Sequence, residues 1–468
     1  MNTIRFKKLL KIITFAAVLV FSILNSVFST QLRQYVAGQM VCNVTNAAII
    51  DSINDEYGTT YNAYSQKLYD YLLKADTLRD LDSLADVISE RPGVVYCKPN
   101  YLLYAPEAVQ ASQPFIDEVG IDIYPQQAAV KTLNLDSTHF YTTGATAKVA
   151  VIDVGVDFSH LLLRFHVTSG EDYVSWDSLA QDEPGGSASG HGTFVAGIVR
   201  LVAPDADIIA YRVLDTSGSG NGFYVASAIV DAVDAGCQVI NLSLVMDGEH
   251  PTVTKALEYA RLNNAVVVAS AGNDSALVDR FPASNPNVLS VAAVDSFGVK
   301  ADFSNYGPTV KLVAPGTGIY SSFPGNQYAR WDGTSFAAPF VSGQAALLFA
   351  LNPMATWDDI HNSICSLAVN IYSLNPGLEG LLGFGLIDPL ATVQHSGGYI
   401  CGDINNDGQG SNVEDLTYIV EYLFRGGPIP PNLLAANCDG IAGQPNILDL
   451  ACTVDYIFRG GPDPICAR

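Results

Sequence analysis

The chain has 468 residues, 49% of them apolar, which is enough for two to four domains and at least one large core. Acidic residues outnumber basic ones 47 to 24, giving a net charge of −23. That balance argues against nucleic acid as a partner, because phosphate binding needs clustered Lys and Arg; it suits a soluble protein outside the cytoplasm, and it suits bound calcium.

The first predicted element is a leader. Arg5, Lys7, Lys8 and Lys11 form a basic start, an apolar stretch follows from Ile12 to Phe28, and small residues appear at Ser26, Ser29 and Thr30. This layout predicts a secretory signal peptide over residues 1–30, and hence a secreted or cell-surface protein. An uncleaved membrane anchor is the alternative, since about 17 apolar residues approach the minimum span. It would be the chain's one membrane contact, because no later segment looks long enough to cross. Eight cysteines are compatible with export. Pairing cannot be read from spacing, but some of Cys401, Cys438, Cys452 and Cys466 should be bridged, because their segment is small.

Residues 31–110 hold strand-like runs, Gln39 to Val44 and Gly93 to Tyr96, around helical patterns. In one, Leu78, Leu81, Leu84, Ala85 and Ile88 recur at spacings of a buried helix face. A small α+β domain is expected. From 114 to 396, buried-strand runs alternate with helical stretches: Lys148 to Asp153, Ile208 to Val213, Val239 to Leu244, Ala265 to Ser270 and Val288 to Val294. Such alternation implies an α/β fold, a central parallel sheet with helices on both faces. Sheets of this kind place chemistry at the carboxyl ends of their strands.

Residues 399–468 contain a duplication. Asp415-Leu416 to Arg425-Gly426-Gly427-Pro428 recurs as Asp449-Leu450 to Arg459-Gly460-Gly461-Pro462, 34 residues later (449 − 415) and without a gap. Before the first copy, Asp403-Ile-Asn405-Asn-Asp407-Gly408 offers side-chain oxygens at alternate positions and then glycine. Calcium prefers six to eight oxygens, and EF-hand-like loops present them in this rhythm. Asn412 and Asp415 complete the set if one residue is inserted relative to a 12-residue loop; Glu414 does if none is. The second copy supplies Asn437, Asp439, Asn446 and Asp449, but Ile441 stands where Asp407 would and cannot ligate through its side chain. One good calcium site and one weak one are expected.

Acyl transfer to a hydroxyl needs a nucleophile, a base and a group that orients the base. Val149-Ala-Val-Ile-Asp153 is a buried strand ending in a carboxylate. Gly190-His191-Gly192-Thr193 opens an apolar helical stretch. Gly333-Thr334-Ser335-Phe336-Ala337-Ala338-Pro339 is a tight turn feeding another helix, with Pro339 expected in its first turn. A serine at a helix start gains from unpaired N–H groups and the dipole, which favour developing negative charge.

In the order Asp153, His191, Ser335, these segments resemble the subtilase family of subtilisin-like serine proteases. Ala269-Ser-Ala-Gly-Asn273, Ser290-Val-Ala-Ala-Val-Asp295, Phe303-Ser-Asn-Tyr-Gly307 and Val313-Ala-Pro-Gly316 extend the resemblance over most of residues 125–395. It implies a three-layer subtilisin-like domain and endopeptidase action on polypeptides. It also implies Asn273 as an oxyanion donor, and substrate binding along Ser243, Leu244, Val245, Ala271 and Gly272. Val154, Phe194, Phe336 and Phe340 depart from the family pattern as packing changes. Val245 stands where family members mostly carry glycine on the strand edge that pairs with substrate, and should bias the first specificity pocket to small residues. Arg91-Pro-Gly-Val-Val-Tyr96 and Pro99-Asn100-Tyr101 resemble the end of an inhibitor-type propeptide, which implies that residues 31–110 inhibit the enzyme until self-cleavage between about Ala105 and Ile123. The duplicated segment resembles a type I dockerin, a small all-α calcium-loop module, and implies a cohesin-like scaffold or cell-surface partner. The alternative function is a catalytically inactive subtilase-fold protein acting in calcium-dependent scaffold binding. A glycosidase finds no support, since no paired-carboxylate site stands out.

Overall fold

A computed structural model describes residues 35–109, 112–116, 120–396, 404–405, 411–430, 435–436, 438 and 445–461. The expected leader lies outside them. The chain divides into two units: Met1–Asn62 with Leu72–Leu102, and Ala63–Tyr71 with Leu103–Arg468.

In the first unit, β1 (Tyr35–Val44), α1 (Ala48–Tyr57) and α2 (Leu81–Ser89) accompany β2 (Thr60–Ser65), β3 (Asp70–Lys74) and β4 (Val94–Tyr104), some of which run on into the second unit. β1 and β4 pair antiparallel, with Cys42 opposite Cys97, and these two form a disulfide. In α2, Leu81, Ala85 and Ile88 face the core as their spacing requires. Leu78 does not join them and is 92% exposed. Asp76 explains this: its carboxylate accepts the Leu78 N–H at 3.0 Å and its carbonyl accepts the Arg79 N–H at 3.1 Å, a turn that ends before the helix begins.

The second unit is built on seven parallel strands. They are β6 (Lys148–Asp153), β7 (Val167–Asp172), β8 (Asp207–Arg212), β9 (Val239–Leu242), β10 (Val266–Ser270), β11 (Val288–Val294) and β12 (Leu312–Pro315), preceded by the short α3 (Pro106–Val109) and β5 (Phe115–Ile116). Their order is β12-β11-β10-β9-β6-β8-β7. β9, β10, β11 and β12 are buried along their whole length, which is why they read as continuous apolar runs. The helices include α4 (His191–Val202), α5 (Gly222–Asp234), α6 (Pro251–Leu262), α7 (Thr334–Leu351), α8 (Trp357–Ser366) and α9 (Pro389–Ser396). A hairpin of β13 (Ile319–Phe323) and β14 (Gln327–Trp331) precedes α7, and β5 pairs with β14. α7 is apolar and 18 residues long, but it is almost wholly buried and belongs to the protein core.

Toward the C-terminus, α10 (Val413–Arg425) and α11 (Ile447–Arg459) repeat one design. Each starts with an Asn–Asp capping box and ends at a left-handed glycine, Gly426 or Gly460. Ile404, Ile419 and Ala436 form their small core, with Leu416, Leu423 and Leu450 packed on it. Cys438 and Cys452 are bridged, in line with the expectation for the terminal cysteines. Cys237 and Cys365 are free and buried.

Candidate active site

Three elements converge at the carboxyl end of the sheet. β6 ends in Asp153, α4 begins at His191, and Ser335 is the second residue of α7. All three side chains are fully buried. His191 Nδ1 lies 2.8 and 3.0 Å from the two Asp153 oxygens. Asp153 Oδ1 also accepts the Val154 N–H at 2.8 Å. Phe336 and Trp331 pack their rings 5.5 and 5.8 Å from the imidazole, and Phe194 packs on both. The aromatic departures at Phe194 and Phe336 therefore build a dry sleeve around the histidine.

Two glycines let the His191 turn form. Gly190 caps α4 with φ of 92°, a conformation that disfavours side chains. Gly192 faces the Gly155 carbonyl, and a Cβ there would fall 2.1 Å from that oxygen. The turn is tied down by Asp182, which sequence reasoning did not single out. Its carboxylate accepts the Gly190 N–H at 2.9 Å and the Thr193 hydroxyl at 2.5 Å. Burial is the largest influence on this carboxyl and pushes it up to about 7, against the pull of those donors.

Pro339 lies inside α7, not in its first turn as the sequence suggested. Its missing N–H leaves the Ser335 carbonyl without a helical partner. Ser243 Oγ fills that place, donating to the Ser335 carbonyl at 2.7 Å while accepting the Asn241 amide at 2.9 Å. Ser243 thus holds the Ser335 backbone, and its own carbonyl lies 3.5 Å from Ser335 Oγ.

Asn273 is aimed by Thr334. The Thr334 N–H and hydroxyl both donate to Asn273 Oδ1, at 3.0 and 2.8 Å, and the Thr334 hydroxyl also accepts the Gly272 N–H at 3.1 Å. This leaves Asn273 Nδ2 facing the site. Asn305 fixes the same loop, donating to the Ala271 carbonyl at 3.0 Å and accepting the Asp274 N–H at 2.8 Å. Leu244 and Val245 are buried, as is Ala271. Gly272 adopts φ of 97°. The described part of the proposed metal set, Asn405, Asn412, Asp415, Asn446 and Asp449, lies on the C-terminal repeats. Asp403, Asp407, Asn437 and Asp439 fall outside the described residues.

A residue with no signal in the sequence completes the picture. Glu107, buried on α3, places its carboxylate among all of these groups. Asn273 Nδ2 donates to Glu107 Oε1 at 2.8 Å, and the Ser335 N–H to the same oxygen at 3.4 Å. Ser335 Oγ donates to Oε2 at 2.6 Å, and His191 Nε2 lies 3.2 Å from it. Burial opposes charge on both Glu107 and His191. For Glu107, the hydrogen bond and attraction to His191, together with the hydrogen bonds from Ser335 and Asn273, outweigh burial, and its carboxyl is held below its usual range. For His191, burial is offset first by Asp153 and then by Glu107, and its pKa is pushed up to about 10.

A parallel α/β sheet that brings a serine, a histidine and an aspartate together, with two N–H donors converging on one oxygen, defines a serine hydrolase. The comparisons name the family. Residues 144–385 match the model of the subtilase family, Peptidase_S8. The Thermophilic serine proteinase of Bacillus sp. (strain AK1) is 39% identical over 280 residues, 58% of this chain and 66% of that protein. Thermitase of Thermoactinomyces vulgaris is 41% identical over 215 residues, 44% of this chain and 75% of that protein. Among solved structures, fervidolysin from Fervidobacterium pennivorans, a keratinolytic enzyme related to subtilisin, matches with a TM-score of 0.66 and 25% identity, over 77% of this chain and 61% of that one. The chain belongs to the subtilase family and is a subtilisin-like serine protease.

Proposed function

We propose that the chain is a secreted endopeptidase in which Ser335 attacks a peptide carbonyl and forms an acyl-enzyme. His191 takes the serine proton and returns it to the leaving amine; Asp153 holds the imidazole tautomer and stabilises its cation. Water then releases the acyl group. The carrying observation is the convergence of Asn273 Nδ2 and the Ser335 N–H on a single oxygen beside Ser335 Oγ. That is the arrangement a tetrahedral oxyanion requires. Residues 1–30 act as signal peptide, 31–110 as propeptide, 114–396 as peptidase domain and 399–468 as a dockerin-like module.

Substrate adds as a strand along Ser243–Val245, with the Val245 side chain narrowing the first pocket toward small residues. Calcium belongs to the C-terminal repeats, whose described donors are oxygen groups, as that ion prefers. It would hold the loops before α10 and α11, and the module would dock on a cohesin-like scaffold or cell-surface partner.

Cleavage of a peptide library by the mature enzyme tests this reading. Wild type should cut after small residues. Asn273→Ala should cut the same bonds with kcat lower by roughly 10²–10³, the effect of losing one such donor in a subtilisin. Preference for bulky aromatic residues would refute the role given to Val245, and an unchanged kcat would refute that of Asn273.

A further inference from the structure

Tyr104 pairs with the cleft edge as a substrate residue would. Its N–H donates to the Val245 carbonyl and its carbonyl accepts the Val245 N–H, both at 2.9 Å, an antiparallel bridge. Antiparallel chains step in opposite directions, so the second residue after a Val245 partner stands opposite Ser243. The Ser243 carbonyl is 3.5 Å from Ser335 Oγ. In an extended substrate, the residue opposite Ser243 is therefore the one whose carbonyl is attacked. The partner of Val245 is then the third residue before the cut bond, and Tyr104 marks where its side chain goes.

That side chain reaches a charged cluster outside the catalytic groups. The Tyr104 hydroxyl donates to Asp247 Oδ1 at 3.3 Å. Arg280 Nη1 donates to the same oxygen, while its Nε and Nη2 grip the two Asp274 oxygens, each at 2.9 Å. Asp247 lies beyond β9 and Asp274 beyond β10, which are neighbouring strands, so Arg280 ties together the segments that leave them. Its stem runs along Gly272, where a Cβ would fall 3.2 Å from Arg280 Cγ. Burial raises the pKa of the Tyr104 phenol, and the nearby Arg280 and Asp274 act on it in opposite senses. Arg280 is 12% exposed, against 25% for Asp247 and 32% for Asp274. Two carboxylates thus face one deeper guanidinium, which gives two of its three bonds to Asp274. The surplus negative charge falls on Asp247.

We propose that Asp247, held in place by Arg280, is a specificity site for the third substrate residue before the cut bond, and that it selects Lys, Arg and Tyr over Asp and Glu. This rests on the endopeptidase reading and adds a second selected position to it. A cationic or hydroxyl-bearing side chain finds a carboxylate acceptor there, whereas an acidic one meets like charge. Arg280 offers an acidic side chain little, because it lies deeper than either acid and is already paired with both.

The test is cleavage of peptides that differ only at the third residue before the cut bond. Each kcat/KM is divided by that of the alanine peptide with the same enzyme, so that a change in overall activity cancels. Mature wild type should favour the Lys peptide over the Glu peptide by at least about fivefold, the scale of one part-exposed charge pair. It should favour Tyr over Phe by at least about twofold, the scale of one hydrogen bond. Asp247→Asn keeps the shape and an acceptor for Arg280 but loses the charge, and should bring Lys and Glu to within about twofold of each other. Asp247→Lys should favour Glu. Should the variants fail to fold, the wild-type preference for Lys over Glu must still shrink as salt is raised. No wild-type preference, one that salt does not move, or one that survives in Asp247→Asn overturns the specificity site and leaves the endopeptidase reading standing. A mature wild type that cuts none of the peptides overturns both.

Discussion

At the residue scale, the site shows how local departures from regular structure are offset by specific partners. Pro339 removes a donor from α7 and the Ser243 hydroxyl replaces it. Asp182 is the costlier device, a carboxylate buried to hold the Gly190–Thr193 turn. Because burial raises its pKa to about 7, the folded chain binds that proton more tightly than the unfolded chain does. The resulting stabilisation is fully present below about pH 4, the ordinary aspartate range, and is lost as pH rises through about 7. Asp182→Asn removes this dependence. In Ser335→Ala chains, which avoid self-digestion, denaturant titrations should show wild-type Asp182 losing roughly 2–4 kcal/mol relative to Asp182→Asn between pH 4 and 8. Parallel stability curves would show that the carboxyl is not buried in this way. Asp153, His191, Ser335 and Asn273 were legible because each sits in a short motif. Glu107 was not, because its meaning depends on partners 84, 166 and 228 residues away.

At the element scale, strands with an unbroken apolar run were readable. Lys148–Asp153 and Val288–Val294 have the bounds the sequence suggested, and Ile208–Val213 is displaced by one residue. Val239–Leu244 is shorter, because the sheet strand ends at Leu242 and Val245 pairs instead with Tyr104. β7 escaped notice: it is an edge strand, Val-Thr-Ser-Gly-Glu-Asp, buried only at its two ends, and carries no apolar signal. In the repeats, Asp415 Oδ1 accepts the Ile404 and Asn405 N–H groups at 2.7 and 2.9 Å, and Oδ2 accepts that of Asn412 at 2.9 Å. Asp449 similarly accepts the Asn446 N–H at 2.8 Å. The acidic residue at each helix start therefore organises the end of its loop. With Ile441 in place of a ligand in the second copy, calorimetric titration of the full chain with calcium should resolve one tight and one weak site in the repeats. Two equal tight sites there would contradict the loop reading.

At the scale of the whole molecule, sequence and structure agree on a subtilisin-like α/β fold with a central parallel sheet. The sequence showed it through strand periodicity and the order of its motifs. It could not show that the protease cleft is filled by the chain's own Glu107, since helix α3 is only four residues long and has no pattern of its own. The central claim is that Ser335 is the nucleophile of this subtilase. Fluorophosphonate labelling of the mature protein, beside Ser335→Ala, tests it most directly. The account predicts a label on wild type that maps to Ser335 and none on the variant; equal labelling of both would remove Ser335 from its role.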